Sequence, residues 1–218
     1  MQASPERSRR FRLWPIILIV AVVAGGVWMW EEVLEDRIVP KRWGVVEEGR
    51  IYRSGQLHPA LVYKTLERHG IDLVISLIDL TYADDDDRAA DEAERIACEE
   101  LEIERRVFPL QGDGTGSIEN YARAIASIAE CLEDDRRVLV HCAAGAQRTG
   151  GVVTGFRVLV QGWDPKLACA EMAEYDWDPD KDRAVLDYLN AHMDDLVERL
   201  RRMGVIDRAP DPLPLLAP

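Results

Sequence analysis

The residues best suited to covalent chemistry lie in the stretch VHCAAGAQRTGG, Val140 to Gly151. Cys142 can act as a nucleophile when its thiol is ionised. Arg148, six positions later, carries a planar fork of N–H donors that suits phosphate or another tetrahedral oxyanion. Thr149 follows the arginine and could donate its hydroxyl to the sulfur. A cysteine and an arginine at this spacing are common by chance, so the interpretation depends on the elements around them.

The flanking sequence predicts a strand, a short loop and a helix. The residues RRVLVH before Cys142 are typical of a buried strand, and RTGGVVTGFRVLV is typical of a helix. The segment between them, here called the Cys142 loop (residues 142–148), would turn backbone N–H groups inward at a helix N-terminus, where the helix dipole adds positive potential. Gly145 would let the backbone approach an anion closely. We therefore expect Cys142 to react as a thiolate near neutral pH, although a structural cysteine in a tight turn is the alternative.

The segment HCAAGAQRTG resembles the signature His-Cys-(x)5-Arg-Ser/Thr of cysteine-dependent protein tyrosine phosphatases, including the dual-specificity enzymes, and every fixed position matches. The upstream segment GRIYRSGQL is similar to the opening strand of compact bacterial and fungal dual-specificity-like members. The resemblance extends from about residue 43 to residue 203. It implies transfer of phosphate to Cys142, hydrolysis of the cysteinyl phosphate, and no metal or other cofactor. The implied phosphate-binding residues are Ala143, Ala144, Gly145, Ala146, Gln147 and Arg148.

The resemblance also implies an aspartate that protonates the leaving oxygen and then activates water. Asp113, in FPLQGDGTGS, is the predicted acid, because this loop follows a strand and its glycines would let it close over a substrate. The loop departs from the Trp-Pro-Asp form of larger tyrosine phosphatases, and an aspartate between glycines is also a common turn residue. Asp79, Asp176 and Asp178 are the alternative acids. His141 is expected to orient the loop and to tune Cys142 without transferring a proton.

The predicted substrate class follows from charge. The variable positions of the Cys142 loop are uncharged, whereas phosphoinositide-directed relatives tend to carry lysines there, and the whole chain has a formal net charge of −13. Both features favour a phosphorylated protein or a small phosphomonoester over a polyanionic head group. The predicted function is a membrane-anchored phosphomonoester hydrolase, a protein tyrosine or dual-specificity phosphatase. The alternatives are an inositol- or lipid-phosphate phosphatase and a pseudophosphatase that only binds phosphorylated partners.

Composition excludes several other classes of protein. An acidic chain lacks the basic face that nucleic-acid binding needs, so no nucleic-acid partner is expected. The four cysteines show no paired short spacing of the zinc-binding kind, and a domain of this size does not imply a disulfide framework. The acidic residues Asp84–Asp87 follow a predicted strand and open a predicted helix. They are typical of a helix cap, because a calcium loop would need a glycine turn between its ligands.

The N-terminal region predicts a membrane anchor. Residues 13–30 carry no charge and would form a helix of about 27 Å, close to the ~30 Å hydrocarbon core of a bilayer. Four arginines precede this run and acidic residues follow it. The excess of arginines before the span predicts a single-pass anchor with the catalytic domain outside the cytoplasm, a cytoplasmic domain being the alternative.

The remainder predicts an α/β fold with a mainly parallel central sheet flanked by helices, as in dual-specificity phosphatases, because predicted strands and helices alternate along the chain. One long helix is expected over Lys181–Met203. The predicted organisation is a basic segment (1–12), the transmembrane signal anchor (13–30), a connector (31–42), the phosphatase domain (43–204) and a proline-rich disordered tail (205–218).

Overall fold

A five-stranded sheet forms the centre of the structure, a computed structural model that describes residues 17–20, 22–23 and 38–218. The strand order is β1-β2-β5-β3-β4, and all neighbouring pairs are parallel except β1 with β2. This confirms the predicted α/β fold with a mainly parallel sheet. The strands are β1 (Gly44–Glu47), β2 (Ile51–Ser54), β3 (Leu73–Ser76), β4 (Glu104–Val107) and β5 (Val138–His141).

Helices cover both faces of this sheet. Strand β5 shows the arrangement, since Val138 and Val140 belong to a large hydrophobic cluster and Leu139 belongs to a smaller one. A strand that is buried on both faces reads as a continuous apolar run, which is the pattern of VLV. The helices are α1 (Pro59–His69), α2 (Asp85–Glu100), α3 (Ile118–Glu133), α4 (Gln147–Leu159), α5 (Pro165–Ala173), α6 (Ala184–Ala191) and α7 (Met193–Arg202).

Polar side chains fix where several helices begin. The Asp84 carboxylate accepts the backbone N–H of Asp87 at 2.8 Å and caps α2, in agreement with the predicted role of the acidic cluster. Ser117 caps α3 in the same way through the N–H of Asn120. Helix α1 ends at Gly70, whose left-handed conformation (φ 59°) is that of a glycine C-cap. The caps at Asp84 and Ser117 end the segments that follow the carboxyl ends of β3 and β4.

Two elements differ from the sequence prediction. The sequence analysis identified no strand before Ile51, yet Gly44–Glu47 pairs with β2 as an antiparallel edge strand. The predicted helix Lys181–Met203 is interrupted at His192 (φ −118°, ψ 16°), so it forms α6 and α7. The helical spacing of apolar residues continues across this break, which is why the sequence pattern did not reveal it.

The sequence predicted that residues 205–218 are disordered, but in the structure this segment is held against the domain. The backbone of Leu216 exchanges two hydrogen bonds with the side-chain amide of Asn190, each 2.8 Å long. The Leu216 side chain is buried in the large hydrophobic cluster. A proline-rich segment can therefore be held in place by a single apolar anchor and a paired amide.

The prediction of a membrane location is corrected by the structure. The predicted span, residues 13–30, falls mostly outside the described residues, and of it the structure describes 17–20 and 22–23 as helical. Among all described residues, no helix is both long enough and apolar enough to cross a membrane. The described residues therefore contradict the predicted single-pass anchor and the predicted side of the membrane.

Candidate active site

Cys142 lies directly after β5, the central strand, and opens the loop that leads into α4. Its side chain is 1% exposed. The backbone N–H of Gly145 donates to Cys142 Sγ across 3.1 Å, because Gly145 adopts a left-handed conformation (φ 81°) that turns this N–H inward. The strand–loop–helix arrangement predicted from the sequence is therefore present, with a backbone donor directed at the sulfur.

The first turn of α4 brings Arg148 and Thr149 to the same loop. Arg148 Nη1 donates to the carbonyl of Leu77, 3.3 Å away at the end of β3, whereas its Nε has no partner. The Thr149 hydroxyl is fully buried and has no partner either. Buried polar groups are costly to leave unpaired, so two of them beside a cysteine are typical of a site arranged around a ligand.

A cavity of about 630 Å³ opens above this loop. Arg148 and Ala143 of the Cys142 loop line it, together with residues from the segments after β3 and β4. Asp79 and Asp87, here called the acidic wall, are also lining residues, so the cavity combines one arginine with two acidic residues. The lining residues are Ile78, Asp79, Thr81, Ala83, Asp87, Leu110, Gln111, Gly112, Ala143 and Arg148.

The loop that carries Asp113 borders the cavity. Gln111 and Gly112 line it, and Asp113 follows them, with its Oδ1 accepting the N–H and the hydroxyl of Thr115 at 2.9 and 2.8 Å. The far side of the loop is anchored, since the Tyr121 hydroxyl donates to the Gly114 carbonyl at 2.6 Å. Space is open around Gly112, where an added Cβ would meet nothing within 4 Å.

The three alternative acids have other partners. The Thr81 hydrogen bonds to Asp79 lower the pKa of that carboxyl, so it is ionised at neutral pH even though it lines the cavity. Asp176 forms an ion pair with Arg42 at 2.8 Å. Hydrogen bonding to Lys181 lowers the pKa of Asp178. These contacts favour the ionised forms of Asp79 and Asp178. Asp113 accepts comparable hydrogen bonds from Thr115, so the choice of Asp113 rests on the position of its loop.

Behind the loop, His141 meets a buried carboxylate that the sequence analysis did not single out. His141 Nε2 lies 2.8 Å from Glu94 Oε2, in an ion-pair contact without straight hydrogen-bond geometry. Glu94 is 3% exposed and its other oxygen accepts Arg105 Nε at 2.9 Å. Burial opposes ionisation of Glu94, but His141 and Arg105 outweigh it and keep the pKa of Glu94 below its usual range. Helical spacing gave a signal, since Glu94 shares the buried face of α2 with Ala90.

The remaining cysteines lack this environment. Cys98, Cys131 and Cys169 are buried and unpaired. Burial raises the pKa of Cys98 to about 12, and raises the pKa values of Cys131 and Cys169 to about 11. These three side chains are thiols at neutral pH, so Cys142 is the cysteine placed for nucleophilic chemistry.

Comparison with known proteins identifies the family. Residues 37–203 match the model of the tyrosine phosphatase family. The chain belongs to this family of cysteine-based phosphatases. No curated protein matches the sequence.

Solved structures with a similar fold are also found. P. aeruginosa TpbA is 23% identical with a TM-score of 0.55, covering 75% of this chain and 91% of that chain. TpbA has also been solved in complex with pTyr. The core catalytic domain of the PP-IP phosphatase SIW14 from S. cerevisiae is 17% identical with a TM-score of 0.57, covering 78% of this chain and 96% of that chain. At these identities the likeness concerns the fold alone.

Proposed function

We propose that this tyrosine phosphatase family member hydrolyses phosphomonoesters on proteins through a cysteinyl-phosphate intermediate. The observation that carries the proposal is the arrangement at Cys142. Its sulfur accepts the N–H of Gly145 at 3.1 Å, beside the unpaired Arg148 Nε and the unpaired Thr149 hydroxyl. Donors that converge on one nucleophile suit a trigonal phosphoryl group with negative oxygens.

In the first step, the Cys142 thiolate attacks phosphorus and forms the P–S bond while the bond from phosphorus to the leaving oxygen breaks. The leaving oxygen takes a proton from the carboxyl group of Asp113. Arg148 and the loop N–H groups stabilise the charge on the three other oxygens. The open space around Gly112 is where the Asp113 segment would move towards the substrate.

In the second step, water attacks phosphorus and gives a proton to the Asp113 carboxylate. The P–S bond breaks, its electron pair returns to Cys142 Sγ, and inorganic phosphate leaves. The Thr149 hydroxyl, which has no other partner, donates to the departing sulfur. The thiolate and the protonated acid are restored, so the cycle needs no further reactant.

The acidic wall of the cavity supports a protein substrate. Asp79 and Asp87 line the same cavity as Arg148, and Ala143 adds no charge. A polyanionic inositol or lipid head group would bring extra phosphates near two carboxylates, which is unfavourable. A phosphopeptide with lysine or arginine beside the phosphorylated residue would instead be attracted. TpbA, which shares the fold, has been solved with pTyr.

Turnover of a matched substrate panel by the full-length protein tests this proposal. The panel contains phosphotyrosine and phosphoserine peptides with basic or acidic flanks, an inositol polyphosphate, and a phosphoinositide in mixed micelles. We expect higher kcat/KM for basic-flanked peptides than for acidic-flanked ones, and lower values for both polyanions. A preference for either polyanion would contradict the protein-substrate assignment, and the absence of all turnover would indicate a protein that only binds phosphate groups.

A charge-neutral variant isolates the acidic wall. Replacing both Asp79 and Asp87 by asparagine is expected to reduce the preference for basic over acidic peptides by about tenfold, because it removes both negative charges that attract basic residues. Asparagine preserves the capping acceptor of Asp79. Asp134→Asn, which neutralises an exposed carboxylate outside the cavity lining, is the matched control. An unchanged preference in the double variant would contradict the role of the wall.

A further inference from the structure

Three consecutive carbonyl oxygens of the Cys142 loop are each held by a donor from outside the loop. The N–H of Gln56 donates to the Ala143 carbonyl at 3.1 Å. Arg42 Nη1 donates to the Ala144 carbonyl at 2.7 Å. Arg53 Nη2 donates to the Gly145 carbonyl, also at 2.7 Å. Arg53 lies on β2, Gln56 follows that strand, and Arg42 precedes β1.

These contacts determine where the loop N–H groups point. In a trans peptide the carbonyl and the following N–H lie on opposite sides of the plane, so fixing one direction fixes the other. Carbonyls of residues 143–145 that are held outward leave the N–H groups of residues 144–146 facing the other way. The N–H of Gly145 does point at Cys142 Sγ. The anion-binding face of the loop is therefore set by donors outside it.

Arg53 is a buried, charged side chain, which is more than is needed to hold one carbonyl oxygen. It is fully buried on β2, its guanidinium stacks on the ring of Tyr175 at 3.8 Å, and its Nε and Nη1 have no partner. Burial lowers the pKa of Arg53 to about 10, which still leaves it charged at neutral pH. A buried charge without a full set of partners is costly. A neutral donor could hold the carbonyl at a lower cost, so the charge itself points to a role.

The Cys142 loop packs closely against β2. A Cβ added to Gly145 would lie 2.5 Å from the N of Gly55, so the loop rests directly on the end of β2. Arg42 reaches the loop from the other side and also holds Asp176. This second contact explains why Asp176 lies beside the loop without entering the cavity.

We propose that Arg53 and Arg42 are positioning residues that clamp the Cys142 loop with its N–H groups turned towards the substrate phosphate, and that Arg53 adds a permanent positive charge beneath the loop. The inference rests on the proposed function only in requiring that the loop binds an oxyanion. It concerns residues that touch neither the substrate nor the reacting atoms.

The test measures anion recognition by Cys142 without a substrate. Iodoacetate and iodoacetamide alkylate the same thiolate, but only iodoacetate carries a carboxylate that the loop can hold. We measure the ratio of the two alkylation rates in the full-length protein, with Cys142 modification followed by mass spectrometry. The inhibition constant of inorganic phosphate against turnover of an aryl phosphate is the second readout. A role in fold stability alone would change neither.

Arg53→Met is expected to lower the iodoacetate preference and to weaken phosphate inhibition, each by about 10–100-fold, the range for losing one hydrogen bond to a charged group. Arg53→Lys should recover part of both losses, because it restores the charge but not the fork. Arg157→Met is the matched control. Arg157 is also buried, stacks on Trp163 at 3.9 Å and donates to a backbone carbonyl, that of Val46, but it does not contact the loop. This variant should keep both readouts within about twofold of the wild type.

Arg42→Met keeps the test valid if Arg53→Met fails to fold, because the Arg42 side chain is partly exposed. A loss of about threefold to tenfold in both readouts is expected, the range for one hydrogen bond near the surface. Asp176→Asn is its control, since it weakens the ion pair and leaves the Ala144 contact intact. If Arg53→Met and Arg42→Met both match Arg157→Met, the clamp is refuted while the proposed function stands. If the wild type itself shows no iodoacetate preference, the loop is not an oxyanion site and both proposals fail.

Discussion

Glu94 gives a prediction whose magnitude follows from the structure. Its carboxylate is 3% exposed and contacts His141 at 2.8 Å and Arg105 at 2.9 Å. Breaking a buried ion pair by removing one partner costs about 3–5 kcal/mol. In Glu94→Gln the new side chain still offers an acceptor oxygen, and Arg105 keeps its second partner, Asp91. We therefore expect the lower end of this range, about 3 kcal/mol of unfolding free energy.

Urea unfolding at neutral and acidic pH measures this effect and its sign. The pKa of Glu94 is depressed in the folded protein, so its contribution is fully present above the ordinary glutamate pKa and is lost as the pH falls through the folded value. The difference between wild type and Glu94→Gln should thus be largest at neutral pH and should shrink below about pH 4.

Glu92→Gln is the matched control on the same helix. Glu92 is exposed and pairs with Arg95 at the surface, where solvent screens the charges and an ion pair contributes little to stability. If Glu94→Gln destabilises the protein no more than Glu92→Gln does, or if its effect is independent of pH, the buried pair is not ionised as described. Equal m-values in the two variants would show that the comparison concerns stability alone.

Three further predictions concern the site and the C-terminal anchor. Asp113→Asn should slow the hydrolysis of phosphoserine and phosphotyrosine peptides by about 10²–10⁴-fold and the hydrolysis of an activated aryl phosphate much less. Equal small losses of rate on all substrates would contradict the role of Asp113 as the acid. Arg148→Lys should reduce kcat/KM by at least about 100-fold because a point charge cannot replace a fork, and near-native turnover would exclude bidentate phosphate binding. Leu216→Ala should lower the free energy of unfolding in urea by about 2 kcal/mol, and Leu215→Ala, at an exposed position, by less than about 0.5 kcal/mol. Equal effects of the two variants would contradict the buried anchor.

The sequence was most informative where chemistry and structure are local. The nucleophile, the arginine and the threonine lie within eight consecutive positions, and a strand and a helix flank them, so the Cys142 loop could be recognised directly. The sequence also marks the start and the stop of helix α1, with Pro59 at its first position and Gly70 directly after its last. The buried strand β5 was evident from its continuous apolar run.

The parts that escaped prediction depend on contacts between distant segments. Arg42 and Arg53 reach the Cys142 loop across about 90–100 residues of chain, and nothing near them in sequence marks a carbonyl partner. Glu94 lies in a strongly acidic helix, where charge suggested a solvated surface and only the helical spacing placed it inside. The membrane prediction rested on the apolar length of residues 13–30 and on the charges that flank them, and the described residues contain no helix long and apolar enough to cross a membrane.

Detection of a phosphorylated Cys142 tests the central claim most directly. The full-length protein is mixed with an aryl phosphate, quenched in acid during turnover, digested and analysed by mass spectrometry, with Cys142→Ser treated in parallel. The account predicts one phosphoryl group on the peptide that contains Cys142, and no turnover in Cys142→Ser even though that variant still binds inorganic phosphate. A phosphoryl group on another residue, or near-native turnover by Cys142→Ser, would contradict it.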